Sequence, residues 1–582
     1  MSERSLAILE PTGTKHDCTA VVAKPIRRPR TDPRIWRWFV ALNVVGVILA
    51  GVLLRCRGLG NLPGINGDEA WYGVQAELLL QGQPIAWRTP SGNLINPLFF
   101  VPQLAMHAIF RPSFIVLRAT AVASGLAALV LNFWLCRRVL GRETAIISTT
   151  VLAALPIDIA YSRLAWDASQ SLLATLPCVY LPLWAVVEEK LKLRLSVATI
   201  AALVAAIVVH PTNLFVAPIT IACLAYAWRK PLLSACNRTV GGRTHHRKRN
   251  LLIASVAAIV AFSALAAGLG PRARSAWLQP AVSRIVNPPQ YAEFVVNFGR
   301  FFTGATVFEY LSGAIQPAAA VSRDTDSIRW EYVPYDLAAW IIGGLLVWGL
   351  ARAVRWQRPE LICLCFGFGA SLFGFFLVAG PGATAPNFER YAIWMIAPAA
   401  VLASISIGSW QGRTGRTGRL ATATALALGW LLVLGFQINC LGYLRQTGGR
   451  SHRAFRTAAL EPKQAALTEI LAQCGPRETV RIVTSEWWTY WPMRYLAVSP
   501  ASGGEQSISV ELCSSRDELV LLPVCQTVGR GRLWFVEFTG SAACDALRRA
   551  AGNDRAPLQE TTVDDFAGRP ILSLFTIRQG KN

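Results

Sequence analysis

Charge is scarce in this 582-residue chain: 16% of residues are Asp, Glu, Lys or Arg, where a soluble globular chain carries about a quarter. Acids are scarcer still, 34 against 57 basic residues. Apolar residues make up 53% and fall in runs of 16–24 residues separated by short Arg-rich breaks, the layout of a polytopic membrane protein. A soluble enzyme, a secreted disulfide scaffold and a disordered chain are thereby excluded for the first three quarters. Three motifs are also missing. There is no Gly-x4-Gly-Lys loop, no His-Glu-x-x-His and no Gly-x-Ser-x-Gly, so ATP-driven transport, zinc proteolysis and serine hydrolysis lack support. The basic tail 1–35 lacks the apolar core and cleavage site of a signal peptide.

The net charge of +23 points to topology rather than to nucleic acid, because much of the excess sits in the short breaks between apolar runs. Eleven spans are expected, near 36–54, 114–136, 144–161, 169–187, 195–210, 213–228, 251–269, 336–354, 361–379, 390–408 and 420–440. The basic breaks 137–143, 190–194, 229–249, 352–358 and 413–419 then all join the N-terminus in the cytoplasm. A twelfth span near 97–110 would invert this order. That piece holds Pro97 and Pro102 and is read as a helix lying along the membrane surface. The segments 55–113, 162–168, 270–335 and the tail beyond 441 fall outside.

Three regions follow: a cytoplasmic basic tail 1–35, a transmembrane core 36–440, and an extracytoplasmic α/β domain 441–582. In the last, Thr479–Ser485, Ile508–Leu512, Leu519–Leu522, Arg532–Phe538 and Ile571–Ile577 read as strands. Glu461–Cys474 and Ala542–Ala551 have helical spacing. Cys474, Cys513, Cys525 and Cys544 allow up to two disulfides in three pairings. A zinc site is the weaker rival, since no Cys-x2-Cys spacing occurs there. The aromatics of 270–335, among them Trp277, Phe294, Phe301, Phe302, Phe308 and Trp330, read as interface anchors or as an acceptor- or carrier-binding surface.

The most informative stretch is Gly64-Ile65-Asn66-Gly67-Asp68-Glu69-Ala70-Trp71-Tyr72, just beyond the first span. Adjacent carboxylates beside an apolar interface are desolvated, which raises their pKa and suits proton abstraction from a hydroxyl. The structural alternative makes Asp68 the cap of a helix from Glu69 to Leu80. A second acid, Asp167, lies in the next outside turn, Ser162-Arg163-Leu164-Ala165-Trp166-Asp167. Arg163 and Asp167 can form a simple pair, or line an acidic cavity with an arginine available for phosphate.

Asp68-Glu69-x-x-Tyr72, Asn96-Pro97-Leu98, Arg118, Arg137-Arg138-x-x-Gly141 and Ser162-Arg163-x4-Asp167-Ala168 together resemble the polyprenyl-phosphate-sugar-dependent glycosyltransferases of the GT-C fold. The branch is that of the protein O-mannosyltransferases and the lipid A aminoarabinose transferase. The resemblance covers about 36–230 and reappears at Glu389-Arg390-Tyr391. It implies transfer of a sugar from a lipid phosphate carrier to a hydroxyl of a protein, glycolipid or glycan on the outer side of the membrane; richness in alanine, arginine and glycine points to a bacterial source and so to a bacterial inner membrane.

Within that resemblance Asp68 matches the general base, Glu69 holds the acceptor or supports Asp68, and Asp167 shapes the site. Tyr72 completes the first motif as a substrate-binding residue, and Arg163 and Arg390 are candidates for the carrier phosphate. One base and displacement at the anomeric carbon imply inversion. The family's usual Lys-Pro-Pro-Leu is Ile95-Asn96-Pro97-Leu98 here, with Arg88 as a substitute for the missing lysine or a surface arginine. A lysine common after the fifth span corresponds to His210, which binds phosphate or caps a span end. No cofactor is required by the resemblance, although Asp68, Glu69 and Asp167 can bind a divalent ion. The alternative function is a lipid-linked-sugar transporter or flippase. Transporters place ionisable residues at the midplane and repeat their halves, whereas here the acids gather in outer turns.

Overall fold

The computed structural model describes residues 33–90, 92, 94–229, 283–314, 333–355, 357–411, 416–498, 507–515, 519, 531–552 and 558–577. The first apolar run forms helix α1 (Pro33–Cys56), followed by two helices of a connecting segment, α2 (Gly67–Leu80) and α3 (Pro97–Ile109). Then come α4 (Phe114–Leu140), α5 (Arg142–Ala154) and α6 (Pro156–Tyr161), and after them α7 (Ser171–Val187), α8 (Lys192–Val209) and α9 (Ala217–Ala227). The bundle continues with α10 (Pro288–Thr303), α11 (Ala305–Leu311), α12 (Val333–Arg355), α13 (Pro359–Ala379), α14 (Ile396–Gln411) and α15 (Arg416–Phe436). A π turn, Gln437–Gly442, carries α15 into α16 (Tyr443–Thr447).

Eight stretches among the described residues are long and apolar enough to cross a membrane: Arg34–Cys56, Phe114–Leu140, Asp167–Val187, Glu189–Val209, Tyr335–Arg355, Pro359–Ala379, Glu389–Ser409 and Gly418–Thr447. Each coincides with an expected span. The span expected at 144–161 is broken between α5 and α6, where Pro156 supplies no backbone donor. The one at 213–228 begins as a 3-10 turn, Pro211–Val216; the one at 251–269 lies outside the described residues. Helix α3 has 13 residues, too few to span. It buries Phe99, Phe100, Gln103 and His107 and exposes Leu98, Val101 and Ile109. Helix α1 exposes Trp38, Leu42, Val45, Leu49 and Leu53 along one stripe, an apolar face that lipid rather than water suits.

Several polar groups inside the bundle are paired. Asn132 bonds Ser148, Thr149 and Tyr180. Arg55 donates to Asp158 and to the carbonyls of Gly51 and Ala153, consistent with the cost of an unsatisfied polar group away from water.

The described part of 270–335 corrects the sequence reading. It is helical, as α10 and α11, and Phe301, Phe302 and Phe308 are buried core residues rather than interface anchors or a binding surface. Trp277 and Trp330 lie outside the described residues.

The tail forms a five-stranded sheet in the order β2-β1-β3-β5-β4, from β1 (Thr479–Thr484), β2 (Ile508–Leu512), β3 (Gly531–Phe538), β4 (Leu558–Asp564) and β5 (Pro570–Ile577). β2, β1 and β3 are parallel, whereas β5 and β4 add antiparallel. Helices α17 (Pro462–Ala472) and α18 (Trp487–Val498) cover one face through Leu467, Ile470 and Met493; α19 (Ala542–Gly552) covers the other through Ala543 and Leu547. Alternation along β3 assigns Trp534, Val536 and Phe538 to the first face and Leu533 and Phe535 to the second. The strand expected at 519–522 is not confirmed: Leu519 is helical and 520–522 lie outside the described residues. Cys474 and Cys544 are free thiols, so neither closes the expected disulfides; Cys525 lies outside the described residues.

Candidate functional site

The segment Gly64–Glu69 is pinned where the helical bundle meets the sheet domain. The Gly64 N–H donates to the Phe455 carbonyl at 3.2 Å, and a Cβ on Gly64 would stand 2.3 Å from the Arg456 carbonyl oxygen. At Gly67 it would stand 2.3 Å from Nε1 of Trp487 on α18. Both glycines are needed for close approach rather than for flexibility.

Helix α2 opens with a capping box. The Asn66 side chain accepts from the Glu69 N–H at 2.9 Å, and the Glu69 carboxylate reaches back to the Asn66 N–H at 3.4 Å. Asn66, not Asp68, is therefore the cap, and Trp166 Nε1 adds a bond to the same Asn66 oxygen at 3.0 Å. Asp68 is released from the structural role the sequence offered it.

Glu69 has the opposite fate. It is fully buried, gripped by Arg118 Nε and Nη2 at 2.9 Å each, and accepts from the Ala165 N–H at 2.8 Å. Arg118 also donates to the Leu59 and Pro63 carbonyls. Glu69 thus fastens the first loop to α4 and to the turn before Asp167. With no exposed surface, it has no face left for an acceptor.

Asp68 accepts no hydrogen bond among the described residues and is partly exposed. Burial pushes its carboxyl up to about 6, with Asp167 and Glu69 raising it further and Arg390 opposing them. The same charges reach Tyr72. Burial first, then Asp167 and Asp68, hold its phenol well above the ordinary range. Among the described residues the Tyr72 hydroxyl is buried without a hydrogen-bond partner, and its ring meets Phe99 edge-on at 5.0 Å.

Asp167 begins the 3-10 turn Asp167–Gln170 at the head of α7. It is partly exposed, and its Oδ1 accepts from the Ala168 N–H at 2.8 Å. The expected Arg163–Asp167 pair does not form. Arg163 is buried and donates to the Leu54 and Leu62 carbonyls; it braces the end of α1, which corrects its assignment to the carrier phosphate. Arg88 fits the second of its two readings, a surface arginine. It is exposed on a small hairpin, where its Nη1 donates to the Gly92 carbonyl at 2.9 Å.

Arg390 takes the cationic position. It lies in the turn Glu389–Met395 that leads into α14, with its guanidinium over the Trp166 ring at 5.4 Å and the Tyr391 ring at 5.0 Å. Its Nη2 donates to the Tyr391 hydroxyl at 3.1 Å. Glu389 is buried and accepts from the Tyr161 hydroxyl at 3.2 Å. His210 caps the Pro211–Val216 turn by accepting from the Thr212 N–H, as the structural reading expected. Its ring nevertheless stands 5.7 Å from Tyr391. Burial lowers its pKa, while Asp167 and Arg390 act on it in opposite senses.

Asp68, Asp167, Tyr72, Arg390 and His210 therefore share one electrostatic neighbourhood, whereas Glu69 and Arg163 stand behind it and Arg88 apart from it. Trp166 was legible as Asp167's neighbour, but its double role, bonding Asn66 and facing Arg390, needed the fold. Among the described residues no group of three or more His, Cys, Asp or Glu side chains gathers as a metal site. Chemically, the arrangement offers a carboxylate whose proton affinity is raised toward neutrality beside a fixed guanidinium, the pairing required to deprotonate a hydroxyl next to an anionic group.

No protein-family model matches the chain, and no curated protein does. Among solved structures it is similar to ArnT from Cupriavidus metallidurans in the apo state, over 93% of this chain and 98% of that one, at 12% identity and a TM-score of 0.49. ArnT bound to undecaprenyl phosphate matches over the same shares at 13% identity and 0.49. AglB from Archaeoglobus fulgidus, in complex with an inhibitory peptide and a dolichol-phosphate, matches over 94% of this chain and 74% of that one, at 13% and 0.48.

Proposed function

We propose that this chain is an integral-membrane glycosyltransferase of the GT-C type. It moves a sugar from a polyprenyl-phosphate carrier to a hydroxyl of a protein, glycolipid or glycan at the extracytoplasmic face. The observation that carries the reading is Asp68, a carboxylate without a hydrogen-bond partner among the described residues, raised to about 6 and facing the charge of Arg390. The first-loop motif resemblance supports it independently of the geometry.

In the proposed reaction Asp68 accepts the proton of the acceptor hydroxyl as its oxygen attacks the anomeric carbon. The bond from that carbon to the carrier oxygen breaks, and its electron pair leaves on the polyprenyl phosphate. Arg390 stabilises the departing phosphate, whose low basicity makes a protonating acid unnecessary. Asp167 and Tyr72 bound the sugar. The cation is then supplied by the protein itself, and transfer is expected to survive chelation of divalent metal. Attack opposite the leaving phosphate gives inversion.

The test is incubation of purified full-length protein with a panel of polyprenyl-phosphate sugars, scoring release of polyprenyl phosphate and its loss in Asp68→Asn. Turnover retained by Asp68→Asn would refute the base assignment. The sidedness has a separate test: a cysteine placed within 229–249 is expected to be labelled only from the cytoplasm.

A further inference from the structure

Helix α1 ends its lipid-facing stripe in a charge. Val45, Leu49 and Leu53 are exposed by 53, 56 and 66% and recur every fourth residue; the next position in that series is Arg57, also exposed. Four residues advance a helix by about 6 Å, so Arg57 stands one turn beyond the apolar face. The bundle's last helical run, α15 through the π turn into α16, also carries exposed apolar residues ahead of an arginine. Leu431 and Ile438 are exposed by 56 and 63%, and Arg445 follows, exposed. Two arginines thus cap two apolar stripes, where a membrane's hydrocarbon gives way to headgroups.

They also share a concavity. Arg57, Gly58, Asn61, Leu62, Arg445, Ala459 and Phe566 line a cavity of about 330 Å³ between the turn after α1, the helix α16 and the sheet domain. Its wall is held in place: the Asn61 amide donates to the Ala458 and Ala459 carbonyls at 3.2 and 2.9 Å, and the Leu62 N–H closes on the Gly58 carbonyl at 2.9 Å. Among the described residues no carboxylate lines it. Among the described residues neither guanidinium has an ion-pair or hydrogen-bond partner, in contrast to Arg55, Arg118 and Arg163 close by in the sequence or fold. Two forked cations facing one cavity, with Leu62 and Phe566 as its apolar wall, match a phosphate that carries acyl chains.

We propose that the Arg57–Arg445 cavity is a binding site for the phosphate of an anionic membrane lipid headgroup. It is separate from the Asp68 site and does not rest on the glycosyltransferase reading. The lipid bridges the end of α1, the end of the bundle and the sheet domain, and so ties the domain to the membrane edge.

The test uses the full-length chain in neutral detergent micelles, with phosphatidylglycerol, phosphatidylcholine or inorganic phosphate added in parallel. Thermal stability and the number of lipids retained in native mass spectrometry are both read. Phosphatidylglycerol is expected to raise the melting temperature and to be retained one molecule more per chain than phosphatidylcholine. In Arg57→Gln/Arg445→Gln that retention falls by roughly a hundredfold, the scale of losing two charge-assisted contacts, while Arg57→Lys/Arg445→Lys keeps most of it. Both arginines are exposed, so the variants fold, and an unchanged melting temperature of the Gln variant in lipid-free detergent serves as the fold control. Equal retention by wild type and the Gln variant, an equal effect of phosphatidylcholine, or the full effect from inorganic phosphate alone would each overturn the proposal.

Discussion

Arg118 holds both carboxylate oxygens of Glu69 at 2.9 Å, and neither side chain has any exposure. The pair lies directly behind Asp68 and joins α2 to α4. Removing one partner of a buried pair strands the other charge, at a cost of about 3–5 kcal/mol. Glu69→Ala is therefore expected to lower the melting temperature strongly, and Glu69→Gln less, because the amide oxygen can still accept from Arg118. Arg118→Met combined with Glu69→Leu should recover part of the loss. Melting curves of the three variants decide this; equal stability of Glu69→Ala and wild type would refute the bracing role.

Asp68→Asn separates chemistry from folding. Asp68 makes no hydrogen bond among the described residues and Asn66 is the cap, so the helix start is expected to survive the change. A general base contributes about 10²–10⁴-fold, and sugar transfer should fall by at least that range while expression and the melting temperature at neutral pH do not fall. Single-turnover transfer to a bound acceptor is the measurement.

The pH dependence has a definite sign. Asp68 is raised from 3.8 to about 6 in the folded protein, so the folded state holds this proton more tightly than the unfolded chain. The resulting stabilisation is complete below about 3.8 and is lost as pH rises through about 6. Asp68→Asn should consequently be more stable than wild type above pH 6 and close to it near pH 4. With Asp68 as the proposed base, catalysis runs the other way, since the base must be ionised: kcat/KM should climb with pH through about 6 and then level off.

The apolar runs made the bundle legible because span length and charge placement are properties of the sequence alone. Breaks inside spans were harder to see: Pro156 divides α5 from α6, yet proline elsewhere sits inside helices, as Pro177 and Pro182 do in α7. In the sheet domain α18 was missed because Trp-Trp-Thr-Tyr-Trp-Pro is rich in residues that favour strands and carries Pro492. Strand β4 was missed because Leu-Gln-Glu-Thr-Thr-Val-Asp, at the sheet's edge, is mostly exposed. The acids of the site could be read from their turns. The arginines could not, because Arg163 and Arg390 differ only in what surrounds them: backbone carbonyls for one, aromatic faces and an acidic neighbourhood for the other.

That difference predicts a split between the two. Arg390→Gln should weaken binding of polyprenyl phosphate by roughly ten- to a hundredfold, the scale of a lost charge-assisted contact, with little change in melting temperature. Arg163→Gln should do the reverse, lowering stability through the freed Leu54 and Leu62 carbonyls while the surviving folded protein binds the carrier normally. Competition by polyprenyl phosphate, measured beside the melting curves, checks both. Loss of carrier affinity in a stable Arg163→Gln would restore Arg163 to the site.

Gly67→Ala tests how tightly the sheet domain is seated. Its added methyl would meet Trp487 Nε1 at 2.3 Å and the Trp487 carbonyl oxygen at 2.8 Å; the second atom is backbone and cannot swing aside. Either α18 withdraws or the first turn of α2 tilts, and both displace Asp68, the next residue. The expected result is a drop of about 1–3 kcal/mol in stability, the usual cost of overpacking, with new protease cleavage near the 480s. Activity should fall further than the stability loss explains, because a base moved by an ångström misses its proton. Gly82→Ala is the control on the same stretch of chain: a methyl there meets nothing within 4 Å, although its φ of +70° adds local strain. It should cost some stability without touching transfer. Equal effects of the two substitutions on transfer would show that the α2–α18 contact does not set the position of Asp68.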